Sequence, residues 1–230
     1  MDAAQADPDV GAREGLRRRL GEGFDALEGF AAMLSDEGVL RGLVGPRELP
    51  RLWERHLLNS AAVEPFLPPE GTVMDVGSGA GLPGVVLACM RPEQHVILLE
   101  PMERRASWLS EVVASLGLSS VEVVRARAEE VHGRLTVAAV TARAVAPMDR
   151  LARWTLPLVE VGGVLVALKG SRAAQEVAEA TAEIARLGGS APEVLEASTL
   201  EGFPPTTVVR VRKTQASTVG QRGRRPRAGR

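Results

Sequence analysis

The sequence predicts an α/β fold with a mostly parallel sheet, helices on both faces and a helical N-terminal cap. Three observations predict it: strand-like and helical segments alternate, a glycine loop follows the first strand, and 230 residues suit one buried core. Hydrophobic residues make up 45% and charged residues 25%, as in an ordinary globular protein. We expect a cap over 1–68, a core domain over 69–213 and a basic, disordered tail over 214–230.

The first 68 residues have the periodicity of helices. Apolar side chains recur at spacings of three and four from Leu16 to Ala31, and the segment 42–46 interrupts the pattern. A second helix is predicted from Glu48 to about Phe66. The Pro-Pro-Glu-Gly sequence after it separates this cap from the first strand.

Basic residues recur along the second predicted helix. Arg47, Arg51 and Arg55 follow at intervals of four, and His56 lies beside Arg55. On one helix face the arginines would form a stripe suited to RNA phosphates. A solvated helix face has the same pattern, and a lone His56 is commonly a hydrogen-bonded structural residue, so spacing does not decide between these interpretations.

Strand-like and helical segments alternate from residue 72 onward. The predicted parallel strands are 72–76, 96–99, 121–124, 138–141 and 164–168. Helices are predicted over 104–116, 151–159 and 173–187. Beyond a Gly-Gly helix stop, 194–195 and 207–211 are predicted to pair as terminal strands.

A glycine loop, Asp75-Val76-Gly77-Ser78-Gly79-Ala80-Gly81, joins the first strand to a helix near Pro83. Glycines let a backbone turn tightly and approach a ligand without an intervening Cβ, so the loop is predicted to bind a nucleoside. Residues 79–84 also match the dinucleotide pattern G-x-G-x-x-G, a weak signal by itself. The carboxylate of Asp75 would repel a pyrophosphate, whereas it suits the amino group and sulfonium of S-adenosylmethionine.

Two further carboxylates follow the second and third strands. Glu100 ends the second strand, 19 residues after Gly81, where it can accept hydrogen bonds from both hydroxyls of a ribose. Ala128 and Glu129 follow the third strand, at a place where a side chain and a backbone amide border an adenine. A solvated acid or a helix cap is the alternative interpretation of Glu129.

Four ordered motifs resemble those of the RsmG (GidB) family. They are Leu52-Trp53-Glu54-Arg55-His56-Leu57-Leu58-Asn59-Ser60, Asp75-Val76-Gly77-Ser78-Gly79-Ala80-Gly81-Leu82-Pro83-Gly84, Thr141-Ala142-Arg143-Ala144-Val145-Ala146-Pro147 and Ala167-Leu168-Lys169-Gly170. The resemblance spans roughly residues 25–212 and is far more specific than the glycine loop alone. It implies a Rossmann-like class I methyltransferase sheet and S-adenosylmethionine as the cofactor.

The resemblance also implies an activity. The family methylates N7 of one guanine near the decoding centre, the position known as 527 in 16S rRNA, so that rRNA or the small ribosomal subunit is the expected partner. The implied cofactor or active-site positions are Gly77, Leu82, Ala128, Glu129 and Arg143. Ala128 stands where relatives often have a larger apolar residue, which leaves the adenine contact there to the backbone.

The residues agree with this chemistry. Guanine N7 has an in-plane lone pair and attacks the sulfonium methyl without losing a proton, so the enzyme supplies mainly orientation. Arg143 can donate to guanine O6 or to a phosphate, and a structural ion pair with Asp75 or Glu100 is the alternative. Lys169, which ends the fifth strand, can contact phosphate or pair with a neighbouring acid.

Charge is unevenly distributed along the chain. The formal net charge is −1, yet residues 210–230 contain eight of the 28 Lys and Arg and no acid, which leaves −9 on the rest. Proteins that meet nucleic acid often have such a tail, although solubility alone also favours it. We expect the Arg-rich segment 222–230 to act as an electrostatic tether to RNA.

Composition excludes several classes of protein. A single cysteine, Cys89, allows neither a disulfide framework nor a Cys-rich metal site, and seven Phe and Trp without any Tyr argue against base stacking on several rings. Without a signal or membrane-spanning run, a cytoplasmic monomer is expected. A small-molecule methyltransferase, a dehydrogenase and a non-catalytic RNA-binding assembly factor are the alternatives.

Overall fold

A computed structural model describes residues 8–143 and 145–217. Seven strands form one sheet: β1 (Val73–Val76), β2 (Val96–Leu99), β3 (Val121–Val124), β4 (Val137–Arg143), β5 (Val159–Leu168), β6 (Glu193–Ala197) and β7 (Thr206–Arg212). Their order across the sheet is β3-β2-β1-β4-β5-β7-β6. Strands β1 to β5 pair in parallel, and β7 is antiparallel to both of its neighbours.

The described helices are α1 (Pro8–Leu20), α2 (Phe24–Glu37), α3 (Asn59–Ala61), α4 (Gly84–Met90), α5 (Glu103–Ser115), α6 (Met148–Thr155) and α7 (Ala173–Arg186). Short 3₁₀ turns lie at Gly21–Gly23, Leu49–Arg51, Glu64–Phe66, Ala128–Glu130 and Leu156–Leu158. A π-helical turn spans Trp53–Leu58. Within these residues, none of the helices is both long enough and apolar enough to span a lipid bilayer.

The sheet has apolar side chains on both faces. Val96 and Leu98 of β2 pack with the cap helices and with α4 and α5, while Ile97 and Leu99 pack on the other face with α6 and α7. Successive side chains of a strand point to opposite faces, so a strand covered on both sides needs an unbroken apolar run. The cap joins the first of these clusters through residues such as Phe30, so it covers one face of the sheet.

The order of the strands determines at which edge of the sheet a binding crevice forms. From β1 the chain builds outward through β2 and β3, then crosses to the other side of β1 for β4 and β5. At this reversal the loops after β1 and β4 leave in different directions, and a crevice forms outside the carboxyl ends of the strands. The glycine loop and Arg143 both lie at that edge, since they follow β1 and end β4.

The predicted α/β fold, mostly parallel sheet and helical N-terminal region are confirmed. The regular second helix is wrong, because this segment is built from a 3₁₀ turn, a π-helical turn and a short α-helical turn. Pro50 lies in the first of these turns, where its missing N–H costs no bond. Arg47 therefore precedes the helical segment, so the three arginines do not lie on one regular helix, and their role toward RNA stays a prediction.

The division into 1–68, 69–213 and 214–230 stays a prediction. Buried residues of the cap and of the sheet belong to one cluster. The predicted tether, 222–230, lies outside the described residues.

Candidate functional site

A cleft with two lobes opens at the carboxyl ends of β1 and β2. The polar lobe, about 390 Å³, is lined by the glycine loop, Glu100, Arg105 and Arg143. The apolar lobe, about 190 Å³, is lined by side chains that include Leu99, Ala128 and Trp154. The lobes share Gly77, Pro101 and Val145, so they are two parts of one site. Their combined size is typical of a small-molecule pocket.

The glycine loop shapes the floor of both lobes. Gly77 has φ of +72°, and a Cβ there would lie 3.1 Å from a methyl carbon of Val145, in the wall that the lobes share. Gly79 has φ of +57° and donates its N–H to Oε2 of Glu100 at 2.9 Å. Gly77, Gly79 and Leu82 line the polar lobe, while Gly81 lies beneath it against Phe30.

Glu100 is buried at the end of β2 and borders the polar lobe. Oε2 accepts the N–H of Gly79, and Oε1 accepts the N–H of Met102 at 2.9 Å. Each carboxylate oxygen can accept a second hydrogen bond. Glu100 therefore holds the loop in place and still has acceptor capacity for hydroxyl groups in the lobe.

Asp75 does not face the cleft, although its position before the glycine loop suggested that it would. It is fully buried and lines neither lobe. Its Oδ2 accepts the N–H of Gly84 at 3.0 Å, and its Oδ1 accepts the hydroxyl of Thr141 at 3.2 Å. Burial raises the pKa of Asp75 to about 6, although these hydrogen bonds oppose the rise. The carboxylate thus ties β1 to β4 and to the start of α4.

This raised pKa predicts a pH-dependent stability. A carboxyl that binds its proton more tightly when folded stabilises the fold at low pH, so its contribution is lost as pH rises from about 4 to about 6. The shift corresponds to about 3 kcal/mol in the free energy of unfolding. Asp75→Asn should remove this contribution. Denaturant unfolding of both proteins from pH 4 to 7 measures it, and parallel curves would contradict the assignment.

The predicted adenine contacts lie around the apolar lobe. Ala128 and the exposed Glu129 both line it. The helix-capping role considered for Glu129 is filled by its neighbour Glu130. The carboxylate of Glu130 accepts the N–H of Arg127 at 2.9 Å and closes the turn. The lobe is mainly apolar, and it fits a flat ring better than a charged group.

The cleft as a whole fits S-adenosylmethionine. Its apolar lobe suits the adenine ring, and the remaining acceptor capacity of Glu100 suits the ribose hydroxyls. The absent Cβ of Gly77 leaves open the passage between the lobes. Arg105 was missed by the sequence reasoning, yet it lines the polar lobe from the first turn of α5. Its place just after Glu100 and the strand end was the available signal.

A second cavity, about 570 Å³, adjoins the cleft. Arg143 and Val145 line both of them. Nη2 of Arg143 lies 2.8 Å from Nδ1 of His56, and Nε2 of His56 lies 3.0 Å from Oε2 of Glu48. Among the described residues neither Asp75 nor Glu100 forms an ion pair with Arg143. Burial lowers the pKa of Arg143, and the charges of Asp75 and Glu48 oppose this at longer range. The wall between the cleft and the second cavity therefore has an arginine held by a histidine.

Three of the other predicted RNA contacts are either paired with a carboxylate or lie away from the described cavities. The side chain of Lys169 is only 7% exposed in the wall of the second cavity, where it donates to Glu176 at 2.6 Å and to the carbonyl of Ala146 at 2.7 Å. Arg51 pairs with Glu54 at 2.9 Å. Arg47 is exposed and lines no described cavity.

Two exposed arginines of the second cavity stay available. The side chains of Arg55 and Arg172 line it without a hydrogen bond or ion pair to any other described residue. Arg172 was missed by the sequence reasoning, although it precedes α7 and follows the end of β5. A position between a parallel strand end and the next helix was the available signal.

Comparisons with known proteins agree with this geometry. Residues 24–200 match the family described as GidB, rRNA small subunit methyltransferase G. Proteins named Ribosomal RNA small subunit methyltransferase G include relatives from Nocardioides sp., 53% identical across 89% of this chain and 80% of theirs, and from Salinispora arenicola, 54% identical across 86% and 84%.

A solved structure shares the fold. The S-adenosylmethionine-dependent O-methyltransferase of Thermotoga maritima matches with a TM-score of 0.52 and 18% identity, over 79% of this chain and 71% of that one. At this level of identity the likeness shows the α/β architecture alone. The family match covers most of the chain and relatives above 50% identity cover nearly all of it, so this chain belongs to the GidB family of small-subunit rRNA methyltransferases.

Proposed function

We propose that this protein transfers the methyl group of S-adenosylmethionine to N7 of a guanine in small-subunit ribosomal RNA, at the position known as 527 in 16S rRNA. Membership of the family supports methylation of small-subunit rRNA with this cofactor. The guanine and its N7 atom are the finer part of the proposal. They rest on the resemblance of the motifs and on the chemistry of the site.

The observation that carries the proposal is the place of Arg143. It lines both the polar lobe and the second cavity, so a base in the second cavity would meet the cofactor beside this guanidinium. A guanidinium is a planar fork of donors, and O6 lies next to N7 on the same edge of guanine. A donor to O6 would orient N7 toward the methyl group.

The surrounding carboxylates favour a reaction without a general base. Two of them line the second cavity: Glu48 is hydrogen-bonded to His56, and Glu176 is paired with Lys169. The N7 lone pair attacks without deprotonation, so no free base is needed and the site contributes mainly orientation. Methylation of an exocyclic amine would leave a proton that these engaged groups are poorly placed to accept.

The shape of the second cavity supports an RNA substrate. A side groove of about 220 Å³ adjoins it, and the two share Arg55 and Asn59. A strand lying across both would pass Arg55 on one side and Arg172 on the other, while its target base reaches inward to Arg143. A base must leave its stack to occupy such a cavity.

Arg55 and Arg172 should therefore set the salt dependence of RNA binding. Replacing either by alanine should lower the slope of log affinity against log salt by about 0.7 to 0.9 for each phosphate that the side chain had neutralised. Arg134→Ala is the matched control, because Arg134 is also exposed, lacks an ion pair among the described residues and lies before β4, at the opposite edge of the sheet. Equal salt-dependence slopes for all three variants would contradict the proposed path of the RNA strand past Arg55 and Arg172.

Mapping the methyl group tests the proposed function directly. Small subunits from cells lacking the protein are incubated with the enzyme and S-adenosylmethionine labelled in its methyl group. Borohydride and aniline then cleave the RNA at N7-methylguanine. One new cleavage at the proposed guanine supports the proposal, and label at another atom or nucleotide contradicts it. Transfer to small molecules alone would favour the small-molecule enzyme, and cofactor binding without transfer would favour the assembly factor.

A further inference from the structure

The contact between Arg143 and His56 determines where the histidine has its proton. A guanidinium has donors only, so Nδ1 of His56 must accept from Nη2 of Arg143 at 2.8 Å. A neutral imidazole that accepts at Nδ1 has its proton on Nε2. That proton then points at Oε2 of Glu48, 3.0 Å away. The three side chains form one directed chain of hydrogen bonds.

The charges around His56 keep it neutral at physiological pH. Burial lowers the pKa of His56, and the positive charges of Arg143 and Arg55 lower it further. Glu48 acts in the opposite sense through its hydrogen bond and its negative charge. Since the lowering effects dominate, the imidazole accepts from Arg143 instead of repelling it.

Because His56 is a neutral acceptor, it affects the charge of Arg143 differently from a bonded carboxylate. A carboxylate bonded to Arg143 would fix the guanidinium and also neutralise its charge. His56 fixes it through a single nitrogen, while the carboxylate lies one side chain further away. The remaining N–H groups of Arg143 and its positive charge stay available to the cavities that it lines.

The π-helical turn explains how His56 reaches this place. The residue lies within Trp53–Leu58, whose wider turns change the direction of side chains relative to an α-helix. Leu57 and Leu58 of the same turn are buried and anchor it to the core. His56 itself lies in the wall of the second cavity, between Arg143 and Glu48.

We propose that Glu48 and His56 are positioning residues that hold Arg143 in the wall between the cleft and the second cavity without neutralising its charge. This inference rests on the proposed function for the role of Arg143 toward the substrate. The chain of hydrogen bonds itself does not depend on the identity of that substrate.

Two substitutions of His56 separate its hydrogen bond to Arg143 from its hydrogen bond to Glu48. Asparagine places an acceptor oxygen where Nδ1 lies, so His56→Asn keeps the bond to Arg143 and loses the bond to Glu48. Glutamine places its polar atoms nearer to Nε2, so His56→Gln keeps Glu48 and loses Arg143. We expect His56→Gln to lower kcat by about 10- to 100-fold through misplacement of Arg143. His56→Asn should retain most of the rate, and His95→Asn, on an exposed histidine before β2, should retain all of it.

The pH profile gives a readout that a merely structural role would not move. As pH falls, protonation of His56 should turn Nδ1 into a donor and displace Arg143. Because the pKa of His56 is lowered, first by burial and then by Arg143, kcat of the wild-type enzyme should fall only at a pH below that at which a free histidine takes up its proton. Glu48→Gln removes the group that raises the pKa of His56, and it should move this fall to lower pH. In His56→Asn the fall should be absent.

Nitrogen NMR of ¹⁵N-labelled enzyme tests the chain of bonds without any substrate. Signals assigned by comparison with His56→Asn should show Nε2 protonated and Nδ1 unprotonated at neutral pH. A proton on Nδ1, equal rates for His56→Asn and His56→Gln, or an acid limb that persists in His56→Asn would each overturn the inference. If the wild-type enzyme methylates a different atom, the proposed function fails, while the NMR result still decides whether this chain exists.

Discussion

Arg143→Ala should lower the rate of methyl transfer to RNA by about 100-fold or more while leaving the affinity for S-adenosylmethionine nearly unchanged. Loss of one preorganised donor at a reacting centre commonly costs this much. Arg143 lies in the wall between the cleft and the second cavity. It does not line the apolar lobe, and among the described residues it forms no hydrogen bond or ion pair with Glu100. Single-turnover transfer at saturating substrate, with calorimetry of cofactor binding, separates the two effects.

A lysine at the same position distinguishes charge from geometry. Arg143→Lys keeps a positive charge, but an ammonium cannot reproduce the planar fork of donors, so it should rescue poorly. Thermal melting of both variants controls for loss of the fold. If Arg143→Ala methylates RNA at the wild-type rate, Arg143 has only a structural role and the proposed orientation of the guanine is wrong.

The sequence predicted the strands well where apolar runs had clear ends. β2 and β3 occupy the predicted 96–99 and 121–124, because both are short runs that follow polar or glycine-containing turns. β5 begins at Val159, five residues earlier than predicted, since Gly162 and Gly163 obscured its first half. Pro157 likewise ends α6 early, because a proline supplies no N–H to continue the helix.

The contacts within the site were harder to predict than the strands. Which side chains pair there depends on how separate strands and helices pack together. The glycine loop and Glu100 were found from local spacing and lie at the cleft. Asp75 and Lys169 come from equally clear motifs, yet Asp75 is buried against Thr141 of another strand, and Lys169 pairs with Glu176 of the helix that follows it. Spacing along a strand places a residue at an edge of the sheet, but it does not show which neighbour satisfies its charge.

Gly79→Val should reduce affinity for S-adenosylmethionine by at least about 100-fold, equal to roughly 2.7 kcal/mol of binding free energy. Gly79 has φ of +57°, lines the polar lobe and donates to Glu100. A β-branched side chain strongly disfavours this left-handed conformation, so the loop must shift and release the carboxylate. The new methyl groups would also occupy space that the cofactor needs. Calorimetry with S-adenosylmethionine and with NAD measures the change and its specificity.

Gly117→Val is the matched control for backbone strain. Gly117 follows α5 with φ of +63°, nothing lies within 4 Å of a Cβ added there, and it lines neither lobe. Both variants should lose about 1–2 kcal/mol of stability from the left-handed conformation. Only Gly79→Val should lose cofactor binding, because only its strain displaces a wall of the cleft. Equal cofactor affinities for the two variants would show that the loop does not contact the cofactor, and tight binding of NAD by the wild-type chain without S-adenosylmethionine binding would refute the choice of cofactor.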